Sequence, residues 1–207
     1  MRRIAEAWLG RPYIADSLIG GPDRPEKLVV NLQAFDCVTF VECVLAKIRS
    51  RSRKGFIEEL KKIRYRGGRV EWSARLHYFS DWMKSNQKRG AIKIRTRGPG
   101  SRSIETRLDV IAGLPARSVR FHVVPKHKVH LARRRILDGS VVAFASTRSR
   151  LDFFHTGLVF ISDGLMLYHA SRKAKKVISE PLEDYLDRNR MRGIAFASVE
   201  SSRRESV

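Results

Sequence analysis

The hydrophobic period of this chain is that of a helix from Asp36 and that of strands in the last third, which sets helices ahead of a strand-rich C-terminal part. From Asp36 onward, Val41, Val44, Leu45 and Ile48 recur at the i, i+3, i+4, i+7 spacing of a helix with one buried stripe. Asp36 is the natural N-cap of that helix. In the last third the pattern becomes that of strands. Ser140 to Ser146, Phe153 to Ile161 and Leu165 to Ala170 are apolar and rich in β-formers, with Ser162-Asp163-Gly164 as a hairpin loop between the last two. Pro181 to Arg188 suggests a short helix and Gly193 to Val199 a closing strand.

The remainder is less regular. Ile4 to Leu9 reads as the end of a short helix stopped by Gly10 and Pro12, and Ser17 to Lys27 is rich in turns. Leu28-Val29-Val30 reads as extended, and Phe56 to Ile63 and Ser73 to Ser85 read as helical. Lys88 to Val129 shows only a loop at Gly98-Pro99-Gly100. No linker-like stretch divides the chain, so a single domain over residues 1–207 is expected. No apolar run approaches the length of a membrane span. The basic opening lacks the apolar stretch of a signal peptide, which implies either a cytoplasmic protein or a cell-envelope (periplasmic) one whose start lies upstream.

The net charge of +21 points to anionic partners: nucleic acid, phosphate-bearing envelope polymers, anionic lipid or an acidic substrate. The basic residues are scattered, with denser spots at Arg49 to Lys54, Lys61 to Arg69, Arg133 to Arg135 and Arg172 to Lys176, and no nucleic-acid-binding motif accompanies them. Nucleic acid is therefore the less favoured partner. Cys37 and Cys43 would stand about 9 Å apart along one helix, too far for a disulfide, so free thiols are expected. No HExxH or CxxC occurs, and neither a metal nor another cofactor is expected.

Cys37 directly follows the Asp36 cap, where unpaired N–H groups and the positive end of the helix favour a thiolate. Those N–H groups could also hold an oxyanion. A buried structural cysteine is the alternative. Of the six histidines, His155 and His169 sit on adjacent expected strands. A three-residue loop with Gly164 in the left-handed position pairs Ile161 with Leu165, which sets Gly157 opposite His169 and puts His155 on the same face, displaced by two residues. Such diagonal neighbours are about 7 to 8 Å apart, close enough for two rings to hydrogen-bond. A two-residue turn would place them on opposite faces, and two unrelated histidines also fit the pattern.

Together, Leu9-Gly10-Arg11-Pro12-Tyr13, Asp36-Cys37-Val38-Thr39-Phe40-Val41-Glu42, His155-Thr156-Gly157 and His169-Ala170-Ser171 resemble the motifs of the NlpC-type, papain-like cell-wall cysteine hydrolases. Leu28 to Leu32, Arg75 to Trp82, Leu151-Asp152 and Asp184-Tyr185-Leu186 resemble more closely the N-acetylmuramoyl-L-alanine amidase-like branch. The resemblance implies a papain-like α+β fold with the Cys37 helix packed on an antiparallel sheet. It implies Cys37 as nucleophile, His155 as general base and His169 as the residue orienting His155. Asp36 would be a cap beside the site, and Tyr13 would line the cleft. Ser73, Arg75, His77, Tyr78 and Asp81 would form a substrate wall, with Arg75 pairing with a carboxylate. The implied substrate is peptidoglycan or a muropeptide, cut between N-acetylmuramic acid and L-alanine. A stem-peptide endopeptidase on the same scaffold, a basic nucleic-acid-binding module and a silent wall-binding relative are the rival readings. Gly139-Ser140 stands where the family usually has Gly-Asp.

Overall fold

The computed structural model describes residues 1–200. Residues 201–207, which the single-domain expectation includes, lie outside the described residues.

The period change read from the sequence is realised as helices packed on a sheet. A short helix α1 (Arg2–Glu6) and a small hairpin of β1 (Ile19–Gly21) and β2 (Arg24–Lys27) precede α2 (Cys37–Ile48) and α3 (Arg53–Arg64). The hairpin falls inside the stretch read only as turns, and Leu28 to Val30, read as extended, follows it without ladder pairing. Helix α2 starts where expected: Thr39 N–H donates to the Asp36 carboxylate at 2.7 Å, and the Thr39 hydroxyl accepts from Asp36 N–H at 2.9 Å. Its interior differs from the expected single stripe. Every residue from Thr39 to Ala46 is buried, because the sheet, α1 and α3 enclose it.

That enclosure places a carboxylate, Glu42, in the core. Arg64 of α3 donates to it from Nε at 2.7 Å and Trp82 donates from Nε1 at 3.2 Å, while Arg64 also reaches the Val29 carbonyl at 2.7 Å. Burial is tolerable here because the ion pair and both remaining polar contacts are made within the core.

The helix expected from Ser73 to Ser85 is broken. A 3-10 turn covers Trp72–Ala74, the chain is extended at Arg75 and Tyr78, and α4 runs from Phe79 to Lys88. The break is fixed by a bridge between Tyr65 and Arg75 and by Leu76 N–H donating to the Arg64 carbonyl. After β3 (Ile92–Ile94), the unread middle folds into a hairpin of β4 (Arg102–Leu108) and β5 (Arg117–Val123), followed by a four-residue α5 (Val129–Ala132).

The last third is β6 (Ser140–Ala145), β7 (Phe153–Ile161), β8 (Leu165–Ser171), β9 (Lys176–Pro181), α6 (Leu182–Arg188) and β10 (Gly193–Val199). These strands and β3 form one antiparallel sheet in the order β3-β10-β6-β7-β8-β9. Two cores flank it. One holds Val141, Ala143, Leu158, Phe160 and Ala170 against α2, and the other holds Phe144, Val159 and Leu167 against Tyr185 and Leu186 of α6.

Candidate active site

Ile161 stands opposite Leu165 and Leu158 opposite Tyr168, the register expected of a three-residue loop, but Gly164 does not take the left-handed conformation expected of it. That pairing runs only from Leu158 to Ile161 and leaves β7 unpaired with β8 around His155 and Thr156. His155 and His169 share the strand parity of Val159 and Leu167, so both rings lie on the α6 side of the sheet. The His155 ring stacks on Phe144 and Tyr185 at centroid distances of 5.8 and 5.5 Å, and Tyr185 also meets His169 edge-on. His155 Nε2 is 2.7 Å from His169 Nδ1.

Cys37 is the first residue of α2, which packs on the other side of the sheet. Its sulfur is faced by the N–H groups of Thr156, Cys37 and Val38. The sulfur from one side of the sheet and the rings from the other thus share one cavity of about 980 Å³, lined also by Tyr13 and Tyr185. Tyr13 is brought there by backbone pairing on two sides: its N–H donates to the Lys175 carbonyl, while Ile14 N–H donates to the Phe35 carbonyl just before α2. Gly10, with φ of +82°, lets the chain turn into that position.

Glycine at 157 is a packing requirement. A Cβ there would stand 2.7 Å from the Tyr168 carbonyl oxygen and 3.0 Å from the His169 Cβ. Gly157→Ala is therefore expected to push β8 and the His169 ring away, at about 1 to 3 kcal/mol of stability. A melting temperature unchanged from wild type would contradict this close approach.

The surroundings of Cys37 work against the thiolate that the helix start favours. Burial, and then the Asp36 carboxylate, push the Cys37 thiol up to about 12, and the three facing N–H groups do not offset them. Burial, with the neighbouring His169, pushes the His155 imidazole down to about 3. Both shifts favour the neutral forms, thiol and imidazole. His169 and His77 are also held below the usual imidazole range by burial. A histidine whose folded value is depressed stabilises the fold above its unfolded value, near 6.5, and that stability is lost as pH falls toward the folded value. Stability should therefore decline as pH falls below about 6.5, by up to about 1.4 kcal/mol per pH unit for each such ring. Urea titrations across this range should show a shallower decline for His155→Gln than for wild type; equal slopes would contradict it.

The remaining residues of the expected site do not line this cavity. Asp36 is committed to the helix cap. Arg75 pairs with the buried Glu26 at 3.1 Å and lies over the Trp72 ring, so its charge is already answered within the fold. His77 donates from Nε2 to the Trp72 carbonyl, buried Tyr78 accepts at its hydroxyl from Val110 and Ile111 N–H, Asp81 pairs with Arg117, and Ser73 is exposed. The substrate wall expected of these five is thus not part of this cavity; the helix break at Arg75 to Tyr78 turns the segment to structural contacts. In their place stand Tyr185, noted in the sequence only as part of a motif, and Glu180, whose Oε1 is 2.9 Å from His169 Nε2. Spacing alone carried no signal for Glu180.

The family model described as AmiA-like, N-acetylmuramoyl-L-alanine amidase-like, matches residues 3–194. The chain belongs to this amidase-like family. Family membership makes it a hydrolase of bacterial type. A crystal structure of an N-acetylmuramoyl-L-alanine amidase from Bacteroides uniformis is similar at 29% identity, covering 96% of this chain and 97% of that one with a TM-score of 0.85. A Legionella pneumophila protein at 23% identity shares the fold, covering 96% of this chain and 87% of that one with a TM-score of 0.83. A search of curated proteins found no match. The α+β arrangement of this amidase-like chain, N-terminal helices on a six-stranded antiparallel sheet, matches that of the Bacteroides enzyme.

Proposed function

We propose that the chain hydrolyses the amide bond between N-acetylmuramic acid and L-alanine in peptidoglycan or its fragments, with Cys37 as nucleophile, His155 as general base and His169 orienting His155. In this reading the fold is papain-like and the described chain is one catalytic domain. The observation that carries it is the meeting, in one cavity, of a cysteine at the start of a helix on one side of the sheet and two hydrogen-bonded histidines on the other.

His155 Nε2 is engaged by His169, which leaves Nδ1 to take the thiol proton as sulfur attacks the lactyl carbonyl carbon. The new S–C bond pushes the carbonyl electrons onto oxygen, where N–H groups at the open start of α2 can hold the charge. Collapse of that intermediate breaks the C–N bond, and His155 returns its proton to the departing L-alanine nitrogen. Water then attacks the thioester, giving one proton to His155, and the thiolate released is reprotonated from that ring. No cofactor enters this sequence.

The cavity rim supports an acidic substrate. Arg148, Arg172, Lys173, Arg188 and Arg190 line it, and Glu180 is the sole carboxylate among the lining residues. Stem peptides carry several carboxylates, so charge complementarity and steering both favour them. Their polymer lies in the cell envelope, where this reading places the protein's work. Among the described residues no helix is long and apolar enough to cross a membrane.

Defined disaccharide-peptide muropeptides test the reading by product mass. Release of the intact peptide with a free L-alanine amine is expected. Cleavage inside the peptide would select a stem-peptide endopeptidase, and an uncut substrate would sink both.

A further inference from the structure

His155, His169 and Glu180 form a diagonal row across three neighbouring strands. Leu167 is opposite Glu180 and His169 opposite Ile178, so Glu180 projects on the same face as His169, displaced by two residues. Each step of the row is a short polar contact, 2.7 Å between the rings and 2.9 Å from His169 Nε2 to Glu180 Oε1. The other Glu180 oxygen is taken by Arg188 of α6. The resulting chain of contacts runs Arg188, Glu180, His169, His155.

We propose that Glu180, held by Arg188, is a positioning residue that sets the hydrogen pattern of both imidazoles, leaving a lone pair on His155 Nδ1. The inference rests on the amidase reading for its consequence and on geometry for its substance.

Two neutral imidazoles joined by one hydrogen bond can be arranged in two ways. Either His155 donates from Nε2, or His169 donates from Nδ1. Only the first leaves His155 Nδ1 unprotonated and able to accept the thiol proton. The ring pair alone does not select between them. A carboxylate can only accept, so His169 Nε2 must carry hydrogen. The neutral His169 ring then has its lone pair at Nδ1, which obliges His155 to donate from Nε2. The burial that disfavours protonation of both rings keeps them in this neutral regime.

The same carboxylate acts again during turnover. When His155 gains the thiol proton, its positive charge is stabilised by the Glu180 charge transmitted through His169. The groups facing this row are Cys37 of α2, Tyr185 and Arg188 of α6, and the members of the row on β7, β8 and β9.

Nitrogen NMR of the full chain labelled in histidine reads the arrangement without substrate, with His155→Gln and His169→Gln to assign the signals. Both rings are expected to show protonated Nε2 and unprotonated Nδ1 in the wild type. Glu180→Ala should lose that preference at His169. Glu180→Gln should lose it too, since an amide can donate as well as accept, and it keeps the volume if the alanine variant folds poorly. With muropeptide, either variant should lower kcat by on the order of tenfold to a hundredfold with KM little changed. The limb of the pH profile that reports imidazole protonation should move to lower pH, because the ring loses a stabilising negative charge. A protonated Nδ1 on wild-type His169, or wild-type signals and wild-type kcat in Glu180→Gln, would overturn the proposal. Altered signals with unchanged kcat would overturn its catalytic part. Failure of the amidase reading would appear instead as an uncut muropeptide with the expected nitrogen signals intact.

Discussion

Cys37→Ala is expected to lower amide hydrolysis by on the order of 10⁴-fold or more while leaving the melting temperature within about 2 °C of wild type. The size follows from the resting state of the site. With the thiol pushed up to about 12 and the imidazole down to about 3, both groups favour their neutral forms. In the proposed reaction the proton passes from sulfur to ring as the S–C bond forms, and an alanine supplies neither the nucleophile nor the proton. Stability should change little because the Asp36–Thr39 cap, which starts α2, does not involve the sulfur. Rates and thermal melts on the same preparations check both halves. A variant that still turns over within tenfold of wild type would remove Cys37 from the mechanism.

Arg64→Ala is expected to destabilise the fold by about 3 to 5 kcal/mol, the range for removing one partner of a buried ion pair. Arg64 and Glu42 side chains are 3% and 2% exposed, so the remaining carboxylate would have no water to turn to. Trp82 Nε1 would be its single protein donor, and the Val29 carbonyl would lose its guanidinium contact. For a chain of this size that corresponds to a melting temperature lower by roughly 6 to 20 °C. Replacing both partners at once, Glu42→Leu with Arg64→Met, should cost less than Arg64→Ala alone, because no buried charge is left behind. A melting temperature within about 2 °C of wild type in Arg64→Ala would contradict the account of how α2 is fully enclosed.

The parts of this architecture that were legible in the sequence are those fixed by local chemistry. Asp36 and Thr39 announce the start of α2 because a cap is a four-residue event, and Ser162-Asp163-Gly164 sets the β7–β8 register because loop length does so directly. Those two features bring forward Cys37, His155 and His169, the family resemblance adds Tyr13, and the cavity gathers all four. The β4–β5 hairpin was not legible. Ile104, Thr106 and Leu108 do alternate inward with Glu105 and Arg107 between them, but that alternation covers only three inward positions, and the long connection to β5 hides its partner. Strand β9 was missed because it is an edge strand, with Val177 its one fully buried residue, and with lysine and proline at its ends. Glu180 went unread with it, since nothing local joins it to a histidine on the neighbouring strand. The break between Ser73 and Phe79 was hidden for a similar reason: a bridge from Tyr65 and a bond from Arg64 override a segment with helical composition.

The central claim is that Cys37 carries the acyl group of a cell-wall amide, and intact-protein mass spectrometry after acid quench of a reaction with a defined disaccharide-peptide tests it most directly. The account predicts a wild-type protein heavier by the muramoyl acyl group as a thioester, with no such adduct on Cys37→Ala. Peptide release that proceeds in wild type and Cys37→Ala alike, with neither protein bearing an adduct, would contradict it.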